Sequence, residues 1–150
     1  MLPPTNNIGF LLQRLASIMA RQSDQVLQEQ LGIGFSQFKI LMILHWKPET
    51  KQRYIADKLS QTEASISRQI KLLEKQGLIT VHVSKENRRQ HMTRLSSKGL
   101  RIIEKALEVL NSYYAPMFTQ LSDKQKEQLL ETLNIMQDYV CRTEKPLRED

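Results

Sequence analysis

From residue 8 onward the apolar positions fall at helical spacing. Ile8, Leu11, Leu12, Leu15, Ile18, Met19, Val26 and Leu27 recur in a pattern that predicts a helix to about Leu31, stopped by Gly32. The next segment, Phe35 to Trp46, is apolar on more than one face and reads as a central, buried helix. Gly34 is an acceptable N-cap for it, and Pro48 closes it. Thr50 then stands where a cap opens a short helix over about Lys51 to Leu59, with Ile55, Ala56 and Leu59 inward. Ser60-Gln61-Thr62 is a turn. Thr62 caps a helix from Glu63 to Gln76 whose inner face is Ile66, Ile70 and Leu73, with Leu72 beside them. Gly77 ends that helix in the left-handed conformation that glycine adopts cheaply.

After Gly77 the period changes from 3.6 to 2. Leu78 to Val83 alternates with β-branched residues and predicts a strand, and His91 to Leu95 returns as its hairpin partner. The connection, Ser84 to Gln90, is polar, basic and longer than a tight turn needs, so its tip should project. Ser96 caps a helix from about Ser97 to Tyr114, striped by Leu100, Ile103, Ala106, Leu107 and Leu110 and ended or kinked by Pro116. Ser122 and Gln125 form a capping box for a last helix with Leu129, Leu130, Leu133, Met136, Tyr139 and Val140 on its apolar face. The charged tail after Arg142 is expected to fray.

Charge separates the middle of the chain from its ends. The 150 residues carry a net charge of +6, yet residues 51–101 hold twelve cations against four anions. The middle is therefore strongly basic and the flanks are neutral to acidic, which favours an acidic partner, nucleic acid before anionic lipid. Apolar residues are 40% and charged residues 25%, ordinary for a folded soluble chain of one domain. The start lacks a basic leader, and no apolar run approaches a membrane span, so the expectation is a cytoplasmic protein with no membrane partner. With a single cysteine, Cys141, an internal disulfide framework and a cysteine-rich zinc site are both excluded.

The order helix, turn, helix, strand, basic loop, strand has a physical logic. A short helix braces a second across a tight turn, and the second offers small polar and basic side chains that fit a major groove. Arg68 can donate two hydrogen bonds to guanine; Ser65, Ser67 and Gln69 can reach base edges or phosphates. Lys71, with Lys51 and Lys75, suits phosphates, which give affinity rather than sequence choice. The loop holding Lys85, Arg88 and Arg89 would lie along the backbone, with an arginine entering the minor groove.

Three stretches, Tyr54-Ile55-Ala56-Asp57-Lys58-Leu59, Ala64-Ser65-Ile66-Ser67-Arg68 and Leu73-Glu74-Lys75-Gln76-Gly77-Leu78-Ile79, resemble the multiple-antibiotic-resistance regulator (MarR) family. So does Asn87-Arg88-Arg89 followed by Leu95-Ser96-Ser97-Lys98-Gly99, which matches that family's wing and the opening of its next helix. The resemblance implies a mainly α fold with a small β-hairpin wing: a winged helix-turn-helix over 35–96, flanked by N- and C-terminal dimerisation helices over 8–34 and 97–142. It implies a homodimer, a pseudo-palindromic operator in double-stranded DNA, and a transcription regulator, most often a repressor. The long apolar stripes of the end helices, too large for the middle lobe to cover, point to the dimer independently. The family usually places Asp at position 87, paired with the arginine two residues on. Asn87 carries no charge, so Arg89 is expected to be held less firmly.

Members of the family often take a small aromatic or anionic effector between the dimer helices and the DNA-binding lobe. Here Met19, Met42, His45 and Trp46 are the candidates, against the plainer reading of Met and Trp as core. Cys141 beside Arg142 lacks the basic cluster or second cysteine of a redox sensor, and His45, His82 and His91 are scattered, although the last two could meet across the hairpin. No phosphate-cradling Gly loop, Gly-x-Ser-x-Gly or His-Glu-x-x-His occurs, so neither an enzyme nor a bound cofactor is expected. The competing class is a winged-helix module for protein or RNA, without sequence-specific binding to duplex DNA.

Overall fold

In a computed structural model residues 6–143 are described. The elements in chain order are α1 (Ile8–Leu31), α2 (Phe35–Trp46), β1 (Thr50–Lys51), α3 (Gln52–Leu59), α4 (Glu63–Lys75), β2 (Ile79–Val83), β3 (His91–Leu95), α5 (Ser97–Phe118) and α6 (Asp123–Thr143). The three strands form one antiparallel sheet in the order β1-β3-β2. The fold is thus mainly helical with a small β wing. The expected frayed tail falls on residues 144–150, outside the described span.

The core forms where the sequence is apolar all round. On α2, Phe38, Ile40, Leu41, Ile43 and Leu44 are all buried, so neighbours close on most of its circumference, while Trp46 at its end stands exposed. Leu27 of α1, Ile55 of α3, Ile66, Ile70 and Leu73 of α4, and Ile103 and Ala106 of α5 close on it. Each fully buried Leu or Ile contributes roughly 1.5–3 kcal/mol relative to leaving it exposed, so the three under α4 hold that helix firmly to the core.

Helix starts follow the predicted caps. Thr62 Oγ1 accepts the Ser65 N–H at 3.1 Å. Ser122 and Gln125 exchange reciprocal bonds at 2.8 and 3.1 Å. Gly34 has no side chain to cap with, so Gln37 reaches back and its Oε1 accepts the Gly34 N–H at 2.9 Å. Gly77 sits at φ 74 and lets the chain leave α4 for β2. Ser96 does two jobs: its Oγ accepts from the Gly99 N–H at 2.9 Å and donates to the Gly77 carbonyl at 2.6 Å. Ser96→Ala is expected to cost about 1–2 kcal/mol, read by urea denaturation, because it removes the α5 cap and frees the Gly77 carbonyl together.

Three local readings are corrected. Thr50 does not cap α3; it is a buried residue of β1 paired with Thr93 of β3, and Lys51 takes the N-cap position. Pro116 does not end α5, which continues to Phe118: the proline forfeits its own N–H bond, but the chain stays helical past it and the Thr119 N–H donates to the Ala115 carbonyl at 2.9 Å. Leu72 is exposed, since it stands away from the Ile66-Ile70-Leu73 stripe.

The two ends of the chain present apolar side chains outward. Ile8, Phe10, Leu11 and Leu15 are exposed on α1, Tyr113, Met117 and Phe118 on α5, and none of the residues of α6 is buried. Along α6 the positions Leu129, Leu133, Met136 and Val140 repeat at i, i+4, i+7 and i+11, one continuous stripe. Inside the fold α1 and α5 are joined by Tyr114, whose hydroxyl donates to the Met19 carbonyl at 2.8 Å and lies 2.9 Å from the buried Ser23 Oγ.

Candidate nucleic-acid interface

The turn between α3 and α4 sets the second helix. Ser60 adopts φ 51, and the Ser60 and Gln61 N–H groups bond back to the Asp57 and Ala56 carbonyls. With Ile66, Ile70 and Leu73 inward, helical geometry puts Ala64, Arg68, Lys71 and Lys75 on the opposite, exposed face. Ser67 and Gln69, both partly buried, stand on its shoulders. So does Ser65, whose Oγ donates to Gln61 Oε1 at 3.4 Å. Among the described residues neither Arg68 nor Lys71 has an ion-pair partner. Two cations on a rigid helix are thus left without internal neutralisation, an arrangement that suits an external anion.

The wing is a hairpin with an ordered tip. Ser84 N–H donates to the Gln90 carbonyl at 2.8 Å and Gln90 N–H to the Asn87 carbonyl at 2.9 Å. Asn87 Oδ1 accepts the Arg89 backbone N–H at 3.1 Å, an Asx turn. Asn87 therefore orders the tip through the main chain rather than through an ion pair. Lys85, Arg88 and Arg89 are all exposed around it.

The base of the wing carries a cluster the sequence did not reveal. Arg94 of β3 pairs with Glu49, and His82 Nε2 lies 3.4 Å from Glu49 and 3.2 Å from the Arg94 guanidinium. Glu49 itself sits at φ 58 in the connection before β1. Only the strand register brings these groups together. The same register separates His82 from His91: His82 pairs with Met92 and Val83 with His91, so the two imidazoles point to opposite faces of the sheet. Among the described residues no group of three or more His, Cys, Asp or Glu could hold a metal ion.

The effector candidates are divided. Met42 and Trp46 line an open cleft of about 490 Å³ between α2 and α3, with Phe38, Lys39, Tyr54 and Lys58, and Gln137 of α6 also lines it. Lys47 Nζ stands 3.9 Å from the Tyr54 ring centroid and Lys58 Nζ 5.5 Å. Met19 and His45 are not among the lining residues. Met19 lies on α1, where its carbonyl holds Tyr114, and His45 is rotated off the Phe38-Met42-Trp46 stripe. Cys141 is exposed near the end of α6, remote in sequence from either basic surface.

A family model for the MarR family matches residues 35–91. The chain is 30% identical over 105 residues to the organic hydroperoxide resistance transcriptional regulator of Bacillus subtilis, a span covering 69% of this chain and 70% of that protein. Among solved structures, the S. aureus MepR–DNA complex aligns with TM-score 0.77 at 24% identity, covering 89% of this chain and 98% of that one. CouR from Rhodococcus jostii RHA1, bound to p-coumaroyl-CoA, aligns with TM-score 0.77 at 21% identity, covering 88% and 92%. At these identities the structural likenesses speak for the fold. The matched segment runs from the first residue of α2 to the first of β3, and so holds the two-helix unit and the wing tip just described. With the B. subtilis relative extending that match across most of the sequence, the chain belongs to the MarR family of transcription regulators.

Proposed function

We propose that the protein is a homodimeric regulator that binds an inverted repeat in double-stranded DNA through α4 and the wing and acts as a repressor in the cytoplasm. The observation that carries this reading is the outer face of α4: Arg68, Lys71 and Lys75 in line, without ion-pair partners among the described residues, on a helix pinned from beneath by three buried side chains. Arg68 reads guanine, with Ser65, Ser67 and Gln69 at neighbouring base edges or phosphates. Lys71 holds a phosphate, and Lys85, Arg88 and Arg89 set the wing on the adjacent backbone. The MepR–DNA complex supports DNA as the partner of this fold. The exposed stripes of α1, α5 and α6 support a second copy of the chain as their cover. A two-fold pair would set the two recognition helices roughly 34 Å apart, one turn of duplex. The cleft beside Met42 and Trp46, rimmed by lysines and floored by aromatic rings, takes a small aromatic or anionic effector that releases DNA; CouR with its bound p-coumaroyl-CoA supports such an input.

The test is selection from random duplex DNA, followed by a salt titration of the winner. An enriched inverted repeat with a steep salt slope is expected; salt-sensitive binding without an enriched motif overturns sequence-specific recognition. On the selected site Arg68→Ala is expected to cost about 1–3 kcal/mol and relax the preference at one base position, whereas Lys71→Ala weakens all sequences alike and lowers the salt slope by about one.

A further inference from the structure

The C-terminal end of α4 is held by a run of polar contacts that skirts the core, with Gln37 as its buried member. Phe35 N–H donates to Asp24 Oδ1 of α1 at 2.8 Å, and the neighbouring Gly34 N–H donates to Gln37 Oε1 at 2.9 Å. Gln37 is 6% exposed, and its Nε2 donates to Gln76 Oε1 at 3.0 Å. Gln76 is the C-cap residue of α4, and its own carbonyl accepts from Lys98 Nζ of α5 at 3.0 Å. At the next residue Ser96 Oγ donates to the Gly77 carbonyl. The line therefore runs from α1 through α2 to the end of α4 and on to α5.

The polarity of this line is forced. The Gly34 N–H is a donor, so Gln37 must turn its oxygen toward it. That leaves the Gln37 amide NH₂ facing α4, and Gln76 must answer with an acceptor. A buried amide that fails to find its partner carries the full cost of desolvation, so the pair admits one arrangement and not a range of them. The apolar residues under α4 fix its depth in the core but are non-directional. The Gln37–Gln76 bond is directional and sits at one end of the helix, where a small lateral shift becomes a change of aim at the other.

We propose that Gln37 and Gln76 are positioning residues that fix the angle of α4 relative to the helices α1 and α5, and thereby the half-site spacing the dimer accepts. This rests on the reading of the protein as a dimer on an inverted repeat. Both glutamines act through the aim of α4, without contact to DNA.

The experiment uses the full chain and the selected inverted repeat, alongside the same repeat with one base pair inserted at its centre. Gln76→Met keeps the shape of the side chain and removes the acceptor; Gln76→Glu keeps the acceptor. Wild type is expected to prefer the selected spacing by about tenfold or more, and Gln76→Met by about threefold or less, because helices free to re-aim tolerate a shifted half-site. Gln76→Glu restores the wild-type ratio even where its charge lowers affinity for both duplexes. The Gln37 side-chain amide signals in an NMR spectrum report the bond itself: the bonded Nε2 proton is protected from exchange with solvent in wild type and Gln76→Glu, and exchanges faster in Gln76→Met. A wild-type spacing ratio in Gln76→Met overturns the proposal, as does a rapidly exchanging Gln37 amide in wild type. Failure of wild type to enrich any inverted repeat overturns instead the reading on which it stands.

Discussion

Gly99→Ala is expected to destabilise the protein by about 3 kcal/mol or more, at the top of the range for overpacking. A β-carbon at this position would lie 1.9 Å from the Leu78 carbonyl oxygen and 2.9 Å from its carbon. Both atoms are main chain, and the same carbonyl accepts the Ser96 N–H at 3.0 Å, so the obstacle is tied to the very turn that would have to retreat. The opposing term is the helix propensity of Ala over Gly, about 1 kcal/mol, and it is too small to offset the clash. The damage falls where α5 meets the start of β2, directly after the end of α4. Urea denaturation reads the loss, and duplex binding falls with it as the wing and α4 lose their common support. A variant within about 1 kcal/mol of wild type would mean that the α5 start can slide off Leu78, contrary to the geometry.

Leu133→Asp carries the second large effect, through assembly. Leu133 is central to the Leu129-Leu133-Met136-Val140 stripe of α6, a helix with no buried residue. A helix of this length draws most of its stability from packing; among the described residues none buries the α6 stripe, and the proposed dimer supplies a second copy to cover it. A carboxylate at its centre must be desolvated or the interface opened. Sedimentation is expected to report monomer where wild type is dimer, with a fall in helical circular dichroism as α6 loses its cover. Affinity for the inverted repeat should drop by about 100-fold or more, because two half-sites are no longer engaged by one linked particle. Glu131→Gln, on the opposite face of α6, serves as the control and should leave both readouts unchanged. A dimeric Leu133→Asp with intact binding would remove α6 from the interface.

What could be read from the sequence was what chain neighbours decide. The caps at Thr62, Ser96 and Ser122 and the stop at Gly77 each depend on residues within four positions, and each lies where the pattern put it. The three-residue inner face of α4 followed from the period alone, and with it the outward placement of Arg68 and Lys71. Thr50 was misread because its partner, Thr93, lies far along the chain; a threonine before a helix looks like a cap until a strand claims it. The Glu49-His82-Arg94 cluster was hidden for the same reason, since three elements must first assemble and take register. The cleft beside Met42 and Trp46 was half visible: both residues could be placed on one helix, but the opposing wall, Tyr54 and Lys58, comes from α3. That Gln37 and Gln76 meet carried no signal, because a side-chain amide pair between two helices is defined by what assembles and not by spacing.

The neutral turn at Asn87 has a consequence for how salt acts on the protein. The tip of the wing takes its shape from a side-chain amide and main-chain N–H groups, so added electrolyte leaves that shape in place. An aspartate there would hold its arginine by an attraction that ions weaken, and would lower the net charge of the loop by one. With asparagine, three cations and the single anion Glu86 remain on the loop from Ser84 to Gln90, a net of +2 that ions can screen only from the outside. The slope of affinity against salt concentration therefore counts ions displaced from DNA, uncontaminated by loss of the loop's own form.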